Sequence, residues 1–84
     1  MKTFSFEIIF PDSPAKRFEA TSVTLMTKAG QITLLPGHAD LITLTVKGNI
    51  RVKTDAGEQS LDTQGGMLYV GNGSARLLTL TSEK

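Results

Sequence analysis

Apolar and polar residues alternate with period two along almost the whole chain, the pattern of strands that bury one face. Phe4, Phe6, Ile8 and Phe10 share one face of the first segment, and Thr3, Ser5 and Glu7 share the other. Lys16–Thr27 reads as one or two strands with Val23 and Leu25 inward, and 31–35 as a strand with Ile32 and Leu34 inward. Further on, Ile42, Leu44 and Val46 alternate with Thr43 and Thr45, and Ile50 and Val52 with Arg51 and Lys53. Segments 58–64, 67–70 and 75–81 complete the series. Turn chemistry separates them at Pro11-Asp12-Ser13-Pro14, Lys28-Ala29-Gly30, Lys47-Gly48-Asn49, Asp55-Ala56-Gly57, Gly65-Gly66 and Gly71-Asn72-Gly73. Proline lacks the donor a ladder needs, and glycine supplies the positive φ of tight hairpins.

The elements predicted are about ten short strands and no helix, an all-β chain folded as a flattened antiparallel β-sandwich in two sheets. Residues 1–84 form one domain, with no repeat and no linker. The last strand, around Leu77, Leu78 and Leu80, is apolar on both faces. That predicts a strand at a sheet edge, covered by a partner or paired with a second copy.

Composition narrows the function classes. With 39% apolar and 20% charged residues the chain is globular, and at 84 residues its core is small. There is no cysteine, so neither a disulfide framework nor a thiolate metal site is available. The net charge is +1 and the basic residues are scattered, which predicts no nucleic-acid partner. No apolar run approaches the roughly 20 residues of a membrane span. Lys2 comes too early for a signal peptide, so a soluble, unexported chain is expected, touching a membrane only through a partner.

Catalytic constellations are missing from the sequence. A single histidine without cysteine or a Gly-x-Ser-x-Gly elbow gives no nucleophilic triad. No His, Asp or Glu pair has metal-ligand spacing, and Asp55, Glu58 and Asp62 read as residues of a hairpin. No cofactor and no catalytic role are expected. Asn72-Gly73-Ser74 matches a glycosylation sequon but reads as a turn. The alternating phenylalanines read as a core row, whereas Tyr69, beside the double glycine, has no assigned face.

The one departure from the β pattern is Pro36-Gly37-His38-Ala39, which holds the only histidine. Pro36 fixes φ and Gly37 permits a sharp reversal, so His38 sits on a stiff corner. Two roles remain open: a packed structural side chain, or a contact for another protein.

At this loop Gly30-x-Ile32-x-Leu34-x-Pro36-Gly37-His38-Ala39-x-Leu41 resembles the signature of the epsilon subunit of F-type ATP synthases. The resemblance extends to the strand from Phe4 to Asp12, to Phe18-Glu19, to Lys47-Gly48-x-Ile50-Arg51-Val52 and to Gly65-Gly66-Met67-Leu68-x-Val70. It covers nearly the whole chain in order. It implies an amino-terminal ten-stranded sandwich in the central stalk, a rotor part that couples the gamma subunit to the polar loops of the membrane c-ring. It implies that Pro36, Gly37, His38, Ala39 and Thr43 lie toward gamma and that Gly30 and Gln31 approach the c-ring. A polar face of Thr43, Thr45, Arg51 and Lys53 beside the His38 corner is expected to add to that contact. A peripheral position on the cytoplasmic face of a bacterial inner membrane follows. The family commonly continues into a pair of carboxy-terminal helices with a nucleotide site; this sequence stops at Lys84, so no ATP binding is expected. Asp40, Tyr69 and Thr33 depart from the family pattern. The competing reading is a stand-alone β-sandwich module for a peptide or sugar, with Tyr69 in its groove.

Overall fold

The computed structural model describes residues 2–79, and all the regular structure among them is β. β1 (Phe4–Ile9) and β2 (Lys16–Thr27) pair as antiparallel neighbours, with Phe6 opposite Phe18 and their rings stacked at 6.3 Å. β3 (Gly30–Leu34) folds back on the second half of β2. The Pro-Gly-His-Ala loop leads into β4 (Leu41–Thr45). β5 (Gly48–Thr54) and β6 (Gly57–Thr63) form one hairpin, and β7 (Gly66–Gly71) and β8 (Ser74–Thr79) another.

Strands β3-β2-β5-β6 make one layer and β1-β8-β7-β4 the other, in a body of 33 × 26 × 19 Å. β2 serves both layers. Its first part pairs with β1, its last residue Thr27 pairs with Thr45 of β4, and a hydrogen-bonded circuit β2-β1-β8-β7-β4-β2 results. The change of partner needs a bend, and the register with β5 shifts between Ala20 and Ser22. An extra residue in one strand bends it and increases its twist. There the Thr21 hydroxyl donates to the Lys53 carbonyl at 3.2 Å.

The all-β sandwich is as the periodicity predicts, with three corrections. Eight strands are formed among the described residues, fewer than the about ten expected, and Lys16–Thr27 supplies one continuous strand where two were possible. The pairing of β1 with β8 is parallel, so the sandwich is not wholly antiparallel. β8 lies between β1 and β7 rather than at an edge, since β1 offers it the edge that β2 leaves free. Leu77 is buried and Leu78 faces out; Leu80 lies outside the described residues.

The core follows the predicted alternation on most strands. Phe6, Val23, Leu25, Leu34, Ile50, Val52, Leu68 and Leu77 are essentially inaccessible, with Phe4 and Ile8 beside them. Each such side chain contributes about 1.5–3 kcal/mol on leaving water. β4 is the exception: Ile42 is 68% and Leu44 43% exposed, whereas Thr45 is buried and Thr43 half-buried. Register explains the inversion. Thr43 lies opposite Leu68 and Thr45 opposite Gly66, and opposed residues share a face. Leu68 belongs to the core, so the threonines point inward with it. Thr45 loses nothing in polar pairing: its hydroxyl accepts the Gly66 N–H at 2.9 Å and donates to the Gly66 carbonyl at 3.2 Å.

Candidate functional site

The corner at 36–39 is a built turn. The His38 amide donates to the Leu35 carbonyl at 3.0 Å, and Gly37 takes φ +83°, open to glycine at little cost. The His38 ring is exposed and lies 2.7 Å from the Ala39 carbonyl through Nδ1. A carbonyl only accepts, so Nδ1 carries the proton and Nε2 is left facing solvent. Behind the corner Phe4, Leu34, Val70 and Ser74 enclose a dimple of about 10 Å³, room for one water and no ligand. Pro36 is half-buried, Gly37, His38 and Ala39 are exposed, and Thr43 is half-buried on the inward side of β4.

Gly30 and Gln31 open β3 and the histidine corner closes it, so the two candidate regions sit at opposite ends of one strand. At about 3.3 Å per residue they are separated by roughly 15 Å. The Gly30 end is a turn closed by Thr27, whose hydroxyl donates to the Gly30 carbonyl at 2.7 Å and accepts the Ala29 N–H at 3.1 Å. Thr54-Asp55-Ala56-Gly57 repeats this turn with the same bonds. The polar face expected from Thr43, Thr45, Arg51 and Lys53 is not formed. Thr45 is buried, while Arg51 and Lys53 face outward from β5 in the other layer.

The inversion of β4 puts a different surface beside the histidine corner. Register carries the outward positions of four strands into two rows. Ile9, Leu78, Met67 and Leu44 form one, and Glu7, Arg76, Tyr69 and Ile42 the next. Ile42, Leu44, Tyr69 and Leu78 are all at least 41% exposed. Glu7 takes ion pairs from Arg76 at 3.7 Å and Arg17 at 3.4 Å, and this charged corner borders the apolar area. The outer face of the other layer is mainly polar, with Thr24, Thr33, Asn49, Arg51 and Asp62, and Met26 as an exposed apolar residue. Contiguous exposed apolar surface of this kind marks an interaction site in soluble proteins. No group of three potential metal ligands occurs among the described residues.

Residues 3–84 match the model of the ATP synthase delta/epsilon chain β-sandwich domain. The chain belongs to that family. The ATP synthase epsilon chain of Bordetella petrii is 32% identical over 83 residues, which are 98% of this chain and 59% of the relative. That of Gloeothece citriformis is 33% identical over 81 residues, 96% of this chain and 59% of the relative. The chain thus spans well under two-thirds of the curated relatives it matches. Among solved structures, a chain of the Euglena gracilis mitochondrial ATP synthase (OSCP/F1/c-ring, rotational state 1) superposes with a TM-score of 0.85 at 19% identity, covering 95% of this chain and 52% of that one. A chain from the central stalk/c-ring structure of the Tetrahymena thermophila mitochondrial ATP synthase superposes with a TM-score of 0.74 at 10% identity, covering 89% and 61%. At these identities the structural likeness shows a shared fold.

For this epsilon-type sandwich, periodicity alone finds the corner and misses the apolar face. Ile42, Leu44, Met67 and Leu78 read as inward or undecided by alternation. The available signal was Thr45 followed twenty-one positions later by Gly66: a glycine in a strand marks a close backbone approach.

Proposed function

We propose that this chain is a non-catalytic rotor subunit of an F-type ATP synthase, joining the gamma subunit to the polar loops of the c-ring. The apolar outer face of β4, β7 and β8, with Pro36, Gly37, His38 and Ala39 at its border, is the seat for gamma. Thr43 stiffens that seat from behind. Gly30 and Gln31, at the far end of β3, approach the ring. The subunit is peripheral, on the cytoplasmic face of a bacterial inner membrane, and reaches the membrane through its partners. It transmits torque as a stiff body and uses no cofactor.

The observation that carries this reading is the exposed Ile42, Leu44, Tyr69 and Leu78 surface in a chain of this family. A rotor part must hold both neighbours, and stable protein contacts typically bury about 1,200–2,000 Å² in total around an apolar centre. Opposed contact regions on one sandwich satisfy the geometry of a coupling.

The test is affinity for purified gamma. Ile42 and Tyr69 are already exposed, so Ile42→Asp with Tyr69→Asp is expected to keep the melting temperature and to weaken binding more than about tenfold. His38→Ala is expected to weaken it a few-fold. Wild-type affinity in the double variant rejects the assignment of this face. Thr43→Arg is a poorer probe, because it places a charge toward the core beside Leu68.

A further inference from the structure

We propose that the end of the sandwich carrying Lys28 and Lys47 receives a carboxylate-bearing polar loop, so that the facing surface of the ring is acidic at this contact. The inference deepens the rotor reading and rests on it.

Two turns meet at this end. The Lys28 amide donates to the Leu44 carbonyl and the Val46 amide to the Met26 carbonyl, both at 3.1 Å. The pair of bonds ties the Thr27–Gly30 turn to the Val46–Gly48 turn and brings their lysines to the same end. Both lysines are exposed, and neither has an ion pair or hydrogen bond through its side chain among the described residues. The arginines are engaged by contrast: Arg17 and Arg76 with Glu7, and Arg51 with Glu58 at 3.1 Å. Between the two turns lies a groove of about 220 Å³, walled by Met26, Gln31, Lys47, Asn49 and Arg51. Among the described residues no carboxylate lines it. The Asn49 amide is directed to Leu61 and Asp62 across the hairpin, and the Gln31 side chain remains available to hold a second polar group.

This chemistry selects a partner. Two unpaired ammonium groups and an amide beside an acid-free groove attract a carboxylate and repel a basic loop, since like charges brought together are penalised. The contact made by the two exposed lysines is polar and sensitive to salt.

The experiment compares binding of the full chain to purified gamma and to the purified gamma–c-ring assembly, at about 50 and about 300 mM salt. Lys28→Glu with Lys47→Glu is expected to bind gamma alone as wild type does, and the assembly roughly fivefold to tenfold more weakly. Lys28→Gln with Lys47→Gln is expected to fall between them. The extra affinity that the ring confers on wild type is expected to shrink at the higher salt. Lysine substitutions at the carboxylates of the ring loop are expected to restore the charge-reversed variant. The proposal is overturned if the charge-reversed variant, folded to the same melting temperature, binds the assembly as tightly as wild type or more tightly. Loss of gamma binding in wild type sinks the gamma half of the rotor reading, and absence of any gain from the ring sinks the ring half together with this proposal.

Discussion

Single positions decide how closely neighbouring strands of one layer approach. Gly66 pairs with Thr45 on one side and Thr79 on the other, and a Cβ there would overlap the Leu78 carbonyl oxygen. A Cβ on Gly65 would lie 2.8 Å from the Thr45 carbonyl oxygen and add left-handed strain at φ +100°. Backbone cannot swing aside as a side chain can. Gly66→Ala is therefore expected to cost at least about 3 kcal/mol or abolish folding, as strain at a packed backbone does. Gly57→Ala meets open space and pays only for φ +138°, about 1–2 kcal/mol. Urea unfolding of both variants measures the contrast; equal costs would show that β7 and β8 meet more loosely at Gly66 than described. Thr45 sets a second constraint here. Replacing it by valine keeps the shape but leaves the buried Gly66 N–H without its acceptor, so about 1–3 kcal/mol is expected to be lost in the same measurement. Serine at this position is expected to recover most of it.

Elements show where sequence reasoning holds and where it stops. β1, β2, β3 and β5 place Phe4, Phe6, Val23, Leu25, Leu34, Ile50 and Val52 inward as their alternation requires, because each has one clearly polar face. The turns are equally legible: Asn72 and Gly73 take φ +53° and +75°, the paired positive angles of a two-residue hairpin turn. β4 has no such polarity. Leu41, Ile42 and Leu44 put apolar residues on both faces, and the choice falls to a long-range partner, β7, through Gly66. Once the register is fixed, a one-residue slip would reverse every side chain of the strand. The same step that hides Thr45 exposes Ile42 and Leu44. The candidate site was thus half legible: the histidine corner is local in sequence, whereas the apolar face exists only after four strands are in register.

At the scale of the molecule, closure separates a stiff part from a loose one. β1, β8, β7 and β4 each have a strand on both edges, at least along part of their length, through the circuit that β2 closes. Nothing in local periodicity announces this closure, because β1 and β8 meet in parallel from opposite ends of the chain. Among the described residues β6 pairs with β5 alone, and its first four residues are exposed. The backbone bonds of that exposed half open more readily than those at Leu61 and Thr63, which pack on the core, so it is a low-stability part of the fold. Amide hydrogen exchange is expected to be slowest in β1, β7 and β8 and about a hundredfold faster in β6, a difference of roughly 2.7 kcal/mol in opening free energy. Uniform protection would refute the division. The division matters for a coupling element: both proposed contact regions border the closed circuit, the apolar face on β4, β7 and β8 and the Lys28 turn at its β2–β4 joint. Torque passing between the apolar face and the Lys28 turn crosses strands held on two sides; β3, which carries the proposed ring contacts Gly30 and Gln31, pairs with β2 alone among the described residues, and the β5–β6 hairpin lies outside that path.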